Sequence, residues 1–306
     1  MKKRRPRIGI ALGSGSSRGW AHIGIIKALA GIGVEPDIVC GCSVGGVVGA
    51  AYAAGNLALF EGWVRSLNRT GLARFIDVNL SLNGFIDQPR LQRFFDKYVC
   101  DSEMRFRDLE KTFATVSTDL VTGKEVWFTE EKVLEAVWAS MGLPGLFPPI
   151  QYQGRWLVDG GLVNPVPVSL CRALGADIVI AVNLNGDVVG KHFVARAPDA
   201  SEDEGMFASF RRTVSTYSQN LFGPPDNKEE PPSLFEAISG SINITQDRIT
   251  RSRLAGDPPD ILLSPKLAHI ALMEFYRADE AIAEGMDCVI RLQSEIEHVM
   301  RGAMVR

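Results

Sequence analysis

Three short stretches carry residue types and spacings that chemistry requires. The first is Gly41-Cys42-Ser43-Val44-Gly45, a serine between glycines where an apolar run, Asp37–Cys42, meets a Gly/Ala-rich helical pattern. A serine in such a strand-to-helix turn has its hydroxyl pushed outward, and the glycines fit because side chains there would clash. Ser43 is the candidate nucleophile. The helix opening at Val44 offers unpaired N–H groups and a positive dipole end to charge developing on a substrate oxygen.

The second stretch is Gly13-Ser14-Gly15-Ser16-Ser17-Arg18-Gly19. A dinucleotide fingerprint needs glycine where Arg18 stands, and Asp37 precedes its strand instead of following it. A P-loop fails too, because no Gly-Lys-Ser/Thr closes the loop. What remains is a loop presenting backbone N–H groups to an anion, with Arg18 adding positive charge. Such a loop can form an oxyanion hole, where removing one donor typically costs about 10²–10³ in turnover.

The third is Asp159-Gly160-Gly161, a carboxylate at a strand end followed by glycines that let another backbone or side chain come close. Asp119 is a second acid at a strand end, where aspartate usually organises a turn. An activated serine is commonly paired with a histidine that a carboxylate orients. The histidines are His22, His192, His269 and His298. Ser43, Asp159 and His269 follow the chain order of an α/β-hydrolase triad, but the nucleophile would come after the second strand, too early for that fold. A Ser43–Asp159 dyad is the simpler account, with Asp159 taking the hydroxyl proton directly or through water.

The elements that must position these groups alternate. Apolar runs at Ile8–Leu12, Asp37–Cys42, Phe113–Asp119, Trp156–Asp159, Ala176–Val182 and Asp260–Pro265 read as strands, with a hairpin turning at Thr122-Gly123-Lys124. Helical spacing covers Trp20–Ala30, Leu57–Leu67, Asp87–Tyr98, Lys132–Ser140, Val168–Leu174 and Phe275–Met300. Phe60, Trp63, Val64 and Leu67 share one face and are expected in the core. The pattern over 8–184 predicts an α/β fold, three-layer α/β/α with a largely parallel central sheet.

Residues 185–255 form a variable, partly mobile section with an acidic run at Asp199–Glu204, a proline-rich run at 223–232 and helical stretches at Met206–Leu221 and Leu234–Arg253. Residues 256–306 hold the last strand and the C-terminal helix. The loops at 75–85 and 143–150 are unusually apolar and either cover the core or border a pocket for a greasy ligand.

The 306 residues are 46% hydrophobic and 23% charged, with net charge −3, which supports a substantial core and gives no sign of a nucleic-acid partner. Five cysteines fit no zinc or redox spacing and read as buried thiols. The basic start, Lys2–Arg7, is interrupted by Arg18 and glycines before any cleavage site, and no uncharged run reaches the ~20 residues of a spanning helix. A cytoplasmic protein is expected.

Taken together, the glycine loop with Arg18-Gly19, Gly41–Gly45, Ala139-Ser140-Met141-Gly142-Leu143-Pro144, Asp159-Gly160-Gly161 and, further on, Gly256–Leu262 resemble the patatin-like phospholipase family, in particular its bacterial RssA-like branch. The resemblance implies one patatin-like domain over 1–306, with its fold. It implies hydrolysis of lipid acyl esters without a metal or other cofactor, with Ser43 as nucleophile, Asp159 as its partner, and the backbone of Ser14, Gly15 and Ser16 as the oxyanion hole. Ser14 and Ser16 stand where many members have glycine. Arg18 and the Val44 N–H join that oxyanion set, and Leu143, Leu146 and Phe147 are the expected contacts for the acyl chain. The partners expected are a lipid or acyl-ester substrate and, through it, transient contact with a membrane surface at the inner membrane's periphery. The remaining alternatives are a patatin-fold regulatory or scaffolding protein with little turnover, and a Ser-His-Asp esterase or thioesterase.

Overall fold

A computed structural model of the chain describes residues 4–69, 88–143, 147–188 and 234–305. The 75–85 loop, Pro144–Leu146, His192, Met206–Leu221 and the acidic and proline-rich runs lie outside these residues.

The strands are β1 (Ile8–Leu12), β2 (Ile38–Cys42), β3 (Thr112–Asp119), β4 (Glu125–Phe128), β5 (Ile150–Tyr152), β6 (Arg155–Asp159), β7 (Ile178–Val182) and β8 (Ile261–Leu263). The helices are α1 (Ala21–Gly31), α2 (Val44–Ala53), α3 (Leu57–Ser66), α4 (Gln88–Tyr98), α5 (Val133–Ser140), α6 (Val168–Ala173), α7 (Leu234–Gly256) and α8 (Ala278–Val305). Short 3-10 turns at Ser16–Trp20 and Gly160–Leu162 follow β1 and β6.

Neighbouring strands β3, β2, β1, β7 and β8 run parallel, while β4, β5 and β6 add antiparallel pairs, so the sheet is mixed. The parallel strands are apolar throughout because both faces are covered. In β1, Ile10 and Leu12 join the core that includes α1, α2 and α8, whereas Ala11 joins the core against α6. β7 splits the same way, with Ile178, Ile180 and Val182 on one side and Val179 and Ala181 on the other. This period of two places helices on both faces, a three-layer fold.

One detail of the pairing positions the site. Thr115 and Val116 of β3 pair with both β2 and β4, so these two strands occupy opposite edges of β3. Ser117 and Thr118 pair with both β4 and β6, so β6 lies on the β2 edge. β6 therefore takes over that edge where β2 leaves it. Cys42 faces Val116, and at the next position Ser117 faces Asp159.

Within the basic start, Arg4 and Arg5 are paired. Arg4 pairs with Asp177 at 2.8 Å and Arg5 with Asp37 at 2.7 Å. Those carboxylates immediately precede β7 and β2, so Arg4 and Arg5 sit at the end of the sheet opposite to Ser43. Among the described residues no helix is long and apolar enough to cross a membrane.

Candidate active site

Ser43 caps α2 with φ 55° and ψ −123°, a conformation that costs a non-glycine residue roughly 1–3 kcal/mol. The surroundings leave it little alternative. A Cβ on Gly45 would stand 2.1 Å from the Leu12 carbonyl oxygen, and one on Gly41 would stand 2.4 Å from the Gly45 oxygen. The glycines thus let α2 press against the ends of β1 and β2, and the chain must turn sharply at the serine. The Ser43 N–H donates to Ser140 Oγ at 2.8 Å, and that hydroxyl donates to the Val116 carbonyl at 2.6 Å. Ser140, within the Ala139–Pro144 motif, thus braces the backbone of the turn, a place the sequence alone does not assign to it.

Asp159 is 1% exposed, its carboxylate accepts from the Gly161 N–H at 2.7 Å, and it lines the same cavity as Ser43. Burial pushes its carboxyl up to about 6, against the neighbouring Ser43 hydroxyl and the Gly161 N–H, which hold it down. Gly160 is sterically required, since a Cβ there would meet the Val116 oxygen at 2.2 Å, whereas one on Gly161 would meet Gln246 Nε2, the end of a side chain. Cys42 adjoins the serine but is fully buried. Burial, then the Asp159 charge, push its thiol far above the usual range, so it is no nucleophile.

The glycine loop lies beside this pair. The Ser14 N–H is taken by the Pro165 carbonyl at 2.9 Å, which corrects its expected place among the oxyanion donors. Among the described residues, the amides of Gly15, Ser16 and Val44 have no acceptor, and all three residues line the cavity that contains Ser43 and Asp159. Ser16 has φ 53°. Arg18 is corrected too. Its side chain is 1% exposed and turned into the protein, where Nε donates to the Gly15 carbonyl at 3.2 Å and Nη2 to Asn243 Oδ1 at 2.9 Å.

The cavity, about 130 Å³, is walled by apolar side chains including Trp20, Phe60, Trp63, Phe94, Leu143 and Phe147. Phe60, Trp63 and Leu67, expected in the core, also form this wall. Leu143 and Phe147 lie where the sequence put them; Leu146 is outside the described residues. A larger depression, about 590 Å³, is lined by residues such as Arg105, Thr112 and Glu131. It opens at the start of β3, away from Ser43.

The described histidines do not complete a triad. His22 is buried, and desolvation, opposed by its bond to the Gly13 oxygen at 2.8 Å, pushes it down to about 4. The neutral ring must carry its proton on Nε2, because a carbonyl can only accept. His269 Nε2 instead meets Glu280 Oε1 at 2.6 Å, and neither it nor His298 lines the cavity. Asp119 organises its turn: Oδ1 accepts from the Val121 and Thr122 amides, each at 2.9 Å.

A family profile described as patatin-like phospholipase matches residues 10–172. An uncharacterised NTE family protein of Mycobacterium tuberculosis is 32% identical over 328 residues, covering 92% of this chain and 89% of its own length. The fungal lysophospholipase NTE1 of Pyricularia oryzae is 29% identical over 292 residues and that of Yarrowia lipolytica 35% over 185 residues. They align with 91% and 58% of this chain, which spans only 18% and 12% of those longer proteins. The chain belongs to the patatin-like phospholipase family.

Proposed function

We propose that the protein is a serine acyl-ester hydrolase acting on lipids, with Ser43 as nucleophile and Asp159 as general base. The observation that carries the reading is that the half-buried Ser43 and the buried Asp159 line one apolar cavity together with unpartnered amides, with the serine hydroxyl close enough to hold the carboxyl down. With its carboxyl near 6, Asp159 is mostly ionised at pH 7 and basic enough to take the hydroxyl proton as Ser43 attacks the ester carbonyl. The oxyanion then rests on the Gly15 and Ser16 amides of the glycine loop and the Val44 amide at the start of α2, which need no reorganisation as charge appears. Asp159 returns the proton to the leaving alcohol, and water releases the acyl group by the same steps in reverse order.

The narrow apolar cavity suits one acyl chain, in keeping with the lysophospholipase names of the fungal relatives. Contact with a lipid surface follows from that substrate class. Leu120, Val121 and Trp156, exposed at the far end of β3 and β6, offer apolar side chains on the same sheet edge as Ser43.

A fluorophosphonate probe is expected to label Ser43, and Ser43→Ala is expected to abolish labelling and reduce lysophospholipid hydrolysis to background. Labelling at another serine, or turnover that survives Ser43→Ala, overturns the assignment. In wild type, kcat/KM should rise with pH to a plateau above about 6, because only the ionised carboxylate accepts the proton.

A further inference from the structure

Two amides facing a cavity without acceptors, in a loop where Ser16 holds φ 53°, form a conformation that would relax unless something fixed it. The fixing groups come from α7. Gln246 Oε1 accepts from Ser14 Oγ at 3.1 Å and from Asn185 Nδ2 at 3.0 Å, and Asn185 Nδ2 also reaches the Ser14 carbonyl at 3.3 Å. Three residues earlier on α7, and so on the same face, Asn243 Oδ1 accepts from Arg18 Nη2. All five side chains (Ser14, Arg18, Asn185, Asn243, Gln246) are buried. Gln246 also lines the cavity, with its Nε2 packed against Gly161.

Both ends of the loop are therefore held by one helix, Ser14 by Gln246 and Arg18 by Asn243. Between them, the Gly15 carbonyl accepts from the Arg18 N–H and from Arg18 Nε, each at 3.2 Å. Among the described residues no peptide bond is cis, so the N–H of the Gly15–Ser16 peptide points away from the carbonyl that Arg18 grips. Arg18 stays charged at neutral pH although burial lowers it to about 10, so its hydrogen bond polarises that peptide toward a stronger donor at Ser16.

We propose that α7 belongs to the transition-state-binding device: Asn243 and Gln246 are positioning residues that hold the 14–18 loop, through Arg18 and Ser14, with the Gly15 and Ser16 amides turned to the cavity. The proposal rests on the Ser43 hydrolase reading above. Loss of either tether weakens binding of the oxyanion and leaves binding of the ground-state acyl chain in place.

The test uses the full chain with a lysophospholipid substrate, an alkyl trifluoromethyl ketone that forms a tetrahedral adduct with a serine, and an unreactive alkyl ether analogue. Gln246→Ala should lower kcat by about 10–100-fold with KM within about twofold, weaken the ketone by a similar factor, and leave ether affinity unchanged. Asn243→Ala should behave the same way and serves as the second variant if Gln246→Ala does not fold. Unchanged kcat in both, or equal losses for the ketone and the ether, overturns the tether. If Ser43→Ala retains wild-type turnover, the hydrolase reading itself has failed, a result separable from any effect at Gln246.

Discussion

The elbow at Ser43 and the loop at 14–18 both hold a serine at positive φ beside the cavity, and they do so by different means. The elbow is set by close packing: Gly41 and Gly45 admit backbone within distances that no Cβ tolerates, with one polar brace from Ser140. The loop is set by buried polar side chains arriving from α7, more than two hundred residues away in sequence. Packing constraints of the first kind are written into neighbouring residues. Polar tethers of the second kind belong to the tertiary structure, and a single substitution releases them without removing core volume.

The largest effect expected is at the acid that serves both regions. Asp159→Asn should cost about 10²–10⁴ in turnover while making the protein more stable. The fold raises this carboxyl from its ordinary value of 3.8 to about 6, so the native state binds the proton more tightly than the unfolded chain. The ionised group thus destabilises the fold above about pH 6, and this penalty fades as the pH falls toward 4. Thermal unfolding at pH 7.5 should show a gain on the order of 2–3 kcal/mol for Asp159→Asn, shrinking toward zero near pH 4. A variant that is less stable at both pH values would show that the carboxylate is structural.

Ser140→Ala comes next and probes the brace on the elbow. It leaves the Ser43 N–H and the Val116 carbonyl without their partner, at about 1–3 kcal/mol in denaturant unfolding. Turnover should fall by about tenfold as the hydroxyl loses its aim. If stability drops while kcat holds, packing alone aims the serine and the contrast with the α7 tether sharpens. The smallest effect separates strain from chemistry. Ser43→Gly and Ser43→Ala should both be inactive, with the glycine variant more stable by about 1 kcal/mol, because only glycine occupies that backbone conformation freely. Equal stabilities would mean that the elbow is not strained.

This difference also explains what could be read in advance. Gly-x-Ser-x-Gly and Asp-Gly-Gly announce steric demands within five residues, so the elbow, the buried acid and the strands leading into them were legible, as was the three-layer fold. Asn243 and Gln246 look like the solvent face of a helix, and nothing local says that they are buried against a loop near the N-terminus. Arg18 read as a cation offered to an anion because its type suggests that; its partner Asn243 lies far along the chain. Ser14 lost its place among the donors to Pro165, another distant partner. The turn at Thr122-Gly123-Lys124 announced the antiparallel β3–β4 pair, but the place of β6 was hidden for the same reason: a run such as Arg155–Asp159 reveals a strand without naming the edge it joins.

That edge has a consequence for how the two reacting groups can vary. Asp159 occupies the ladder position immediately beyond the one Cys42 fills, so its distance from the alcohol is counted in ladder steps of about 3.3 Å and cannot be tuned continuously. A slip of one residue in the β5–β6 hairpin would present Val158 or Gly160 in its place and turn the carboxylate to the other side of the sheet. The geometry between acid and alcohol is therefore either in register or lost, and the ladder between β3 and β6 acts as the gauge that keeps it.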